Sequence, residues 1–180
     1  MSTRTILRTL LLVACAGAIR VSAEALSPDL QPKLDAKVAA LKVWSTQPAI
    51  VAAVKARNAS KDGAAYTNES WKTLTVLDPA VRAFQQNAVA TWIKANKDAA
   101  VSEAFVSCAD GSKVAFLTKP SSWSHAGKPK HDKPMTGKTW QGEVEVDAST
   151  GARQIQVSVP VFDGGKPIGS IVVGFSIAKL

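Results

Sequence analysis

"RQIQVSVPVFDGGKPIGSIVVGFSI", residues 153–177, decides the fold. Ile155, Val157, Val159 and Val161 alternate with Gln154, Gln156 and Ser158, a period of two that places one set on each face of a strand. "FDGGKPIG" then reads as a tight turn, because adjacent glycines take the positive φ that a short hairpin connection demands. "SIVVGFSI" follows as a largely apolar strand. Two strands joined so closely must run antiparallel.

The pattern recurs upstream. "SEAFVSC" and "KVAFLT" flank "ADGS", which predicts a second hairpin after residue 100. Glu143, Glu145 and Asp147 alternate along another strand-like stretch and share a face. Such a row is read first as a solvated sheet edge, and second as a calcium or acid/base site.

Before residue 100 the period is helical. Ser27-Pro28 has the form of a helix start, and Leu34, Val38, Leu41 and Ser45 make one stripe. Pro48 lacks the N–H a continuing helix would need, so the helix kinks or restarts near "WSTQP", with Ser45 or Thr46 as the cap. Ile50, Val51 and Val54 continue the apolar face up to the polar turn "NASKDG". Asp78-Pro79 opens a further helix, along which Val81, Phe84, Ala88 and Trp92 keep helical spacing. Helices first and hairpins second predict an α+β domain: a long kinked N-terminal helix and a further helix packed on one face of an antiparallel sheet. Residues 119–142 lie between the hairpins, have no regular period, and must cross the sheet's other face.

With these elements in view, "AFVSCADGSKVAFLT", "SSW…KTWQGEVEVD" and residues 153–177 together resemble the Cache superfamily. These are the PAS-like extracytoplasmic sensor domains of bacterial chemoreceptors, histidine kinases and stand-alone periplasmic proteins. The resemblance spans residues 28–180, and "QPAIVAAV" after the kink is similar to the single-Cache form. It implies a five- or six-stranded antiparallel sheet with a long helix behind it and a ligand pocket on the other face. It also implies binding of small metabolites such as carboxylates, amino acids or amines. The Tyr/Arg/Trp…Asp signature of amino-acid-binding double-Cache sensors is absent, so no amino-acid specificity is implied. No kinase, methyl-accepting or cyclase module follows Leu180 in this sequence, so the expected output is a separate partner, a membrane-bound receptor or histidine kinase.

The pocket candidates follow from that placement. Trp123 and Trp140 bracket the irregular stretch, and an indole offers a flat apolar wall or simple packing on the sheet. His125 and His131 lie six apart beside Asp132, too few and too loosely spaced for a zinc site. They line the pocket or belong to a solvated basic loop. Lys128, Lys130, Lys133 and Lys138 are mostly solvated, with one of them, or Arg153 through its planar fork, available to a carboxylate. Gln154 and Gln156 face water or ligand. Phe116 and Thr118, with Phe105, complete the set from the first hairpin. The expected ligand is small and anionic. No Gly-x-Ser-x-Gly elbow, phosphate-cradling glycine loop or metal-ligand cluster occurs, so neither an enzyme nor a cofactor is expected. A structural or interaction module without a ligand is the alternative.

The first 23 residues read as an export signal: Arg4 and Arg8, an apolar run from Thr9 to Ile19, then Val21-Ser22-Ala23. Leu12-Val13-Ala14-Cys15 also matches a bacterial lipobox, which would make Cys15 a lipid-bearing first residue. Either processing leaves residues 24–180 as one sensor-like domain, periplasmic or secreted. Of the +8 formal charge of the 180 residues, Arg4, Arg8 and Arg20 account for three, leaving +5. The remaining basic residues are dispersed, without the dense run of a nucleic-acid-binding arm. Cys108 is then the one cysteine outside the signal and reads as a packed strand-end residue.

Overall fold

A computed structural model describes residues 24–60, 65–147 and 151–180. The expected signal, with Cys15, lies outside the described residues.

The hairpin at residues 153–177 forms as its pattern predicts. Strand β4 (Arg153–Asp163) pairs with β5 (Lys166–Ser176) through ten residue pairs, from Gln154 opposite Ser176 to Asp163 opposite Lys166. Gly164 and Gly165 carry φ of 54° and 81°, the two positive values of a type I′ turn, whose twist matches the strands it joins. Around this ladder sit β1 (Val101–Cys108), β2 (Lys113–Phe116) and β3 (Trp140–Val146). The sheet is antiparallel throughout, with strand order β2-β1-β5-β4-β3. β1 of the first hairpin thus lies beside the last strand, so both hairpins share one five-stranded sheet.

One face of the sheet holds the apolar half of the alternation. Ile155, Val157, Val159 and Val161, with Val106, Ile171 and Val173, are buried against Leu34 and Leu41 of α1 (Gln31–Trp44) and Ile50 and Val54 of α2 (Pro48–Ala59). Burying each such side chain stabilises the fold by about 1.5–3 kcal/mol. α1 starts after the expected Ser27, which instead closes a turn by accepting from the Leu30 N–H. The restart at Pro48 occurs, but neither Ser45 nor Thr46 caps it. Their hydroxyls turn back to the Lys42 and Val43 carbonyls and close α1.

The helix expected from Asp78 is two helices. α4 (Pro79–Gln86) ends at Asn87, whose ψ of 170° is extended, and α5 (Ala88–Asn96) starts there. Asn87 accepts from the Ala90 N–H at 2.9 Å and donates to the Val114 carbonyl at 2.9 Å, so it caps the new helix and pins the break to β2. The break has a packing consequence. Val81 and Phe84 join one core cluster, whereas Val89, Ala90 and Ile93 join the other, behind the sheet. A single straight helix presents one apolar stripe and cannot serve both faces.

α3 (Asn68–Thr73), opened by a Thr67–Ser70 capping box, carries the buried Trp71 into the front cluster. The stretch expected to be irregular contains a helix of its own, α6 (Pro129–Met135), with Pro129 at its start. α6 crosses β4 and β5, so the segment does lie over the sheet's front face. Cys108 is buried, its Sγ near Ser112 Oγ and Asp110 Oδ1, and burial pushes its thiol pKa up.

Candidate functional site

The front face is divided in three. Its β1–β2 end is filled by aromatic rings: Trp71, Phe84, Phe116, Trp123 and Tyr66 stand 5.0 to 6.3 Å apart by ring centres. The Trp71 indole N–H donates to the Pro120 carbonyl at 2.7 Å, tying this cluster to the segment over the sheet. Another part is covered by α6. Between them opens a cavity of about 460 Å³.

The cavity floor comes from the polar half of the strand alternation. Gln154 and Gln156, only 3% and 7% exposed, stand beside Glu103 on β1. Ser102 Oγ donates to Gln154 Oε1 at 2.6 Å, and Gln154 Nε2 donates to Glu103 at 3.1 Å and Glu145 at 3.3 Å. Gln156 Nε2 also donates to Glu103, and its Oε1 accepts from Lys130 Nζ at 2.9 Å. The two amides thus link one ammonium to two carboxylates, donating to the acids and accepting from the base. Burial lowers the Lys130 pKa, and Glu103 and Glu145 oppose that shift.

Gly174 makes room for this network. A Cβ there would stand 2.6 Å from Gln154 Oε1, 2.7 Å from Glu103 Cγ and 2.9 Å from Ser102 Oγ. Any side chain would push the floor apart.

His125, 5% exposed, forms part of the wall, with its ring 4.9 Å from that of Phe105. Behind it lies Lys113, fully buried on β2. Lys113 Nζ is within hydrogen-bond reach of Ser107 Oγ (3.2 Å), the Gly111 carbonyl (3.2 Å) and His125 Nδ1 (3.1 Å), and lies over the Phe105 ring. No carboxylate is among these partners. Burial is the main cause that lowers the Lys113 pKa to about 7. Burial, then the charge of Lys113, lowers His125 to about 2, so its ring is neutral.

Of the residues the sequence singles out, Thr118, His125, Gln154 and Gln156 meet at the cavity, together with Phe105 and Lys130. Five others are placed elsewhere. Trp123 and Phe116 are buried in the aromatic cluster, packed against Trp71 of α3 and Phe84 of α4. His131 holds α6 down: its ring bonds Ser170 Oγ at 2.8 Å and the Ala109 carbonyl at 3.2 Å. Trp140 lies against the backbone of Gly142. Arg153 is exposed and forms an ion pair with Glu24.

Glu103, Lys119 and Lys113 escape the sequence reading. Glu103 has no periodic signal because its partners come from β4, 51 and 53 residues on. Glu145 and Asp147, expected first as part of a solvated edge, line the cavity. The lining therefore carries Glu103, Glu145 and Asp147 against Lys119 and Lys130. That lining is of mixed sign, where the sequence led to the expectation of a small anionic ligand.

The chain has the expected α+β architecture, with helices packed on a five-stranded antiparallel sheet. It is similar to the ligand-binding domain of the Pseudomonas aeruginosa amino acid chemoreceptor PctC in complex with GABA, at 16% identity and a TM-score of 0.46, over 84% of this chain and 56% of that one. It is also similar to the sensor domain of the Vibrio cholerae histidine kinase DctB, at 17% identity and a TM-score of 0.47, over 83% and 54%. The chain thus spans a little over half the length of these structures. No protein-family model and no curated protein matches it. Among the described residues no helix is long and apolar enough to cross a membrane.

Proposed function

We propose that residues 24–180 form an exported, single-Cache-like domain that binds a small amphoteric metabolite and passes its occupancy to a separate membrane-bound receptor or histidine kinase. Residues 1–23 serve as the export signal, or end at Cys15 as a lipid attachment. The observation that carries this proposal is the cavity lining of both signs, Glu103, Glu145 and Asp147 with Lys119 and Lys130, over a buried glutamine floor. A protonated amine is placed by Glu103 and Glu145, and a carboxylate or carbonyl oxygen by Lys130 and His125. A cavity of about 460 Å³ lies within the ordinary range for small-molecule sites. Its polar groups are engaged with one another, which suits holding a ligand rather than turning one over.

A thermal-shift screen of amino acids, ω-amino acids, amines and simple carboxylates tests the proposal. Saturation at about 100 times the dissociation constant stabilises the folded state by about 2.7 kcal/mol. Compounds that carry both an amine and an acid are expected to raise Tm most. A preference for simple carboxylates would overturn the amphoteric assignment, and a flat response across the library would overturn ligand binding itself.

A further inference from the structure

Lys113 and His125 are an unusual pair to place behind a cavity wall. A buried ammonium costs free energy unless its N–H groups are all used, and it is ordinarily matched by a carboxylate. Here three acceptors surround Nζ: Ser107 Oγ, the Gly111 carbonyl and His125 Nδ1. An ammonium has three N–H groups, so the count closes only if His125 Nδ1 accepts. A neutral imidazole that accepts at Nδ1 carries its proton on Nε2. Among the described residues Nε2 has no hydrogen-bond partner. The open space that His125 borders is the cavity.

We infer that Lys113 is a positioning residue that holds His125 as the Nε2–H tautomer, so that the cavity offers a neutral N–H donor to a carboxylate or carbonyl oxygen of the ligand. This inference rests on the ligand reading above and gives it an orientation. The acid end of the ligand lies toward His125 and Lys130, and the amine end toward Glu103 and Glu145.

The arrangement also has a direction in pH. When Lys113 loses its proton, the amine lone pair accepts from His125 Nδ1–H, and Nε2 becomes a bare acceptor. The charged and titratable groups acting on the pair are Lys128 and Lys130 from the segment over the sheet, His131 from α6, and Cys108 and Asp110 from the first hairpin. Lys130 disfavours the charged lysine, while Cys108 and Asp110 favour it.

Nitrogen-15 NMR of the ligand-free protein, labelled at its histidine rings, tests the tautomer directly. At about pH 6, below the Lys113 titration, His125 is expected as a neutral ring protonated at Nε2. The Nδ1–H form is expected to grow as pH rises through that titration. An imidazolium or an Nδ1–H ring at the lower pH overturns the inference, as does a ring indifferent to pH. A second arm uses γ-aminobutyrate, butyrate and butylamine as probes. His125→Phe is expected to weaken γ-aminobutyrate by about tenfold or more and leave butylamine unchanged. Equal affinity of the wild type and His125→Phe for γ-aminobutyrate overturns the donor assignment. If none of the three binds, the ligand reading fails for this class, and the ligand-free spectrum still decides the tautomer.

Discussion

Replacing Lys113 with methionine removes a buried amine and keeps most of its apolar stem. The folded-state pKa of that amine is about 7, against an ordinary 10.5. Between those values the unfolded chain binds more protons than the folded one, so the Lys113 contribution rises with pH through this window. Below it, both states hold the proton and the contribution is flat at its least favourable level. From about pH 7 to about pH 9 the linkage amounts to about 2 kcal/mol, and over the whole window to about 5 kcal/mol. For a chain of this size, about 2 kcal/mol corresponds to about 4–8 °C in Tm. The assay is thermal unfolding of both proteins across that range. Other lysines titrate in both, so the difference between the two curves isolates Lys113. The offset mixes lost hydrogen bonds with the lost buried charge, but the slope does not. Wild type is expected to gain on Lys113→Met by about 4–8 °C over the two pH units. Parallel curves would refute the buried, carboxylate-free environment deduced for this lysine.

Three further substitutions separate floor, core and surface. Gly174→Ala forces a methyl against Gln154 and Glu103, and is expected to cost about 1–3 kcal/mol and to abolish any ligand-induced Tm shift, read by thermal unfolding with and without ligand. Trp123→Ala opens the aromatic cluster and is expected to cost about 3–5 kcal/mol in denaturant unfolding. Arg153→Ala removes only an exposed ion pair with Glu24, and is expected to change stability by less than about 1 kcal/mol and ligand response not at all.

The legible parts of this molecule are those where one local period carries the information. The alternation from Gln154 to Val161, with Gly164 and Gly165 after it, is enough to define the hairpin, and it also separates the polar floor from the apolar back. Pro48 marks the second helix equally well. The missed features depend on partners far along the chain. Asn87 looks like a surface position in a continuous helix, and only its bond to Val114 on β2 shows why the helix must break there. Trp123 and His131 have the chemistry of ligand contacts, but a tryptophan buries as well as it binds. Their fates depend on α3 and β5, which lie 50 or more and 35 or more residues away respectively. Lys113 is the least legible. A lysine at a strand start reads as solvated, and its burial follows from the chain of residues 121–125 folding back over the hairpin turn, where His125 N–H bonds the Gly111 carbonyl.

The most direct measurement is backbone amide shift mapping during titration with whichever compound stabilises the protein most. Perturbations should gather at residues 102–105, 118–130 and 154–156, the segments that converge above the glutamines. Shifts confined to α1 and α2, or to the turn at residues 164–165, would place the ligand elsewhere and contradict a receptor built on this face of the sheet.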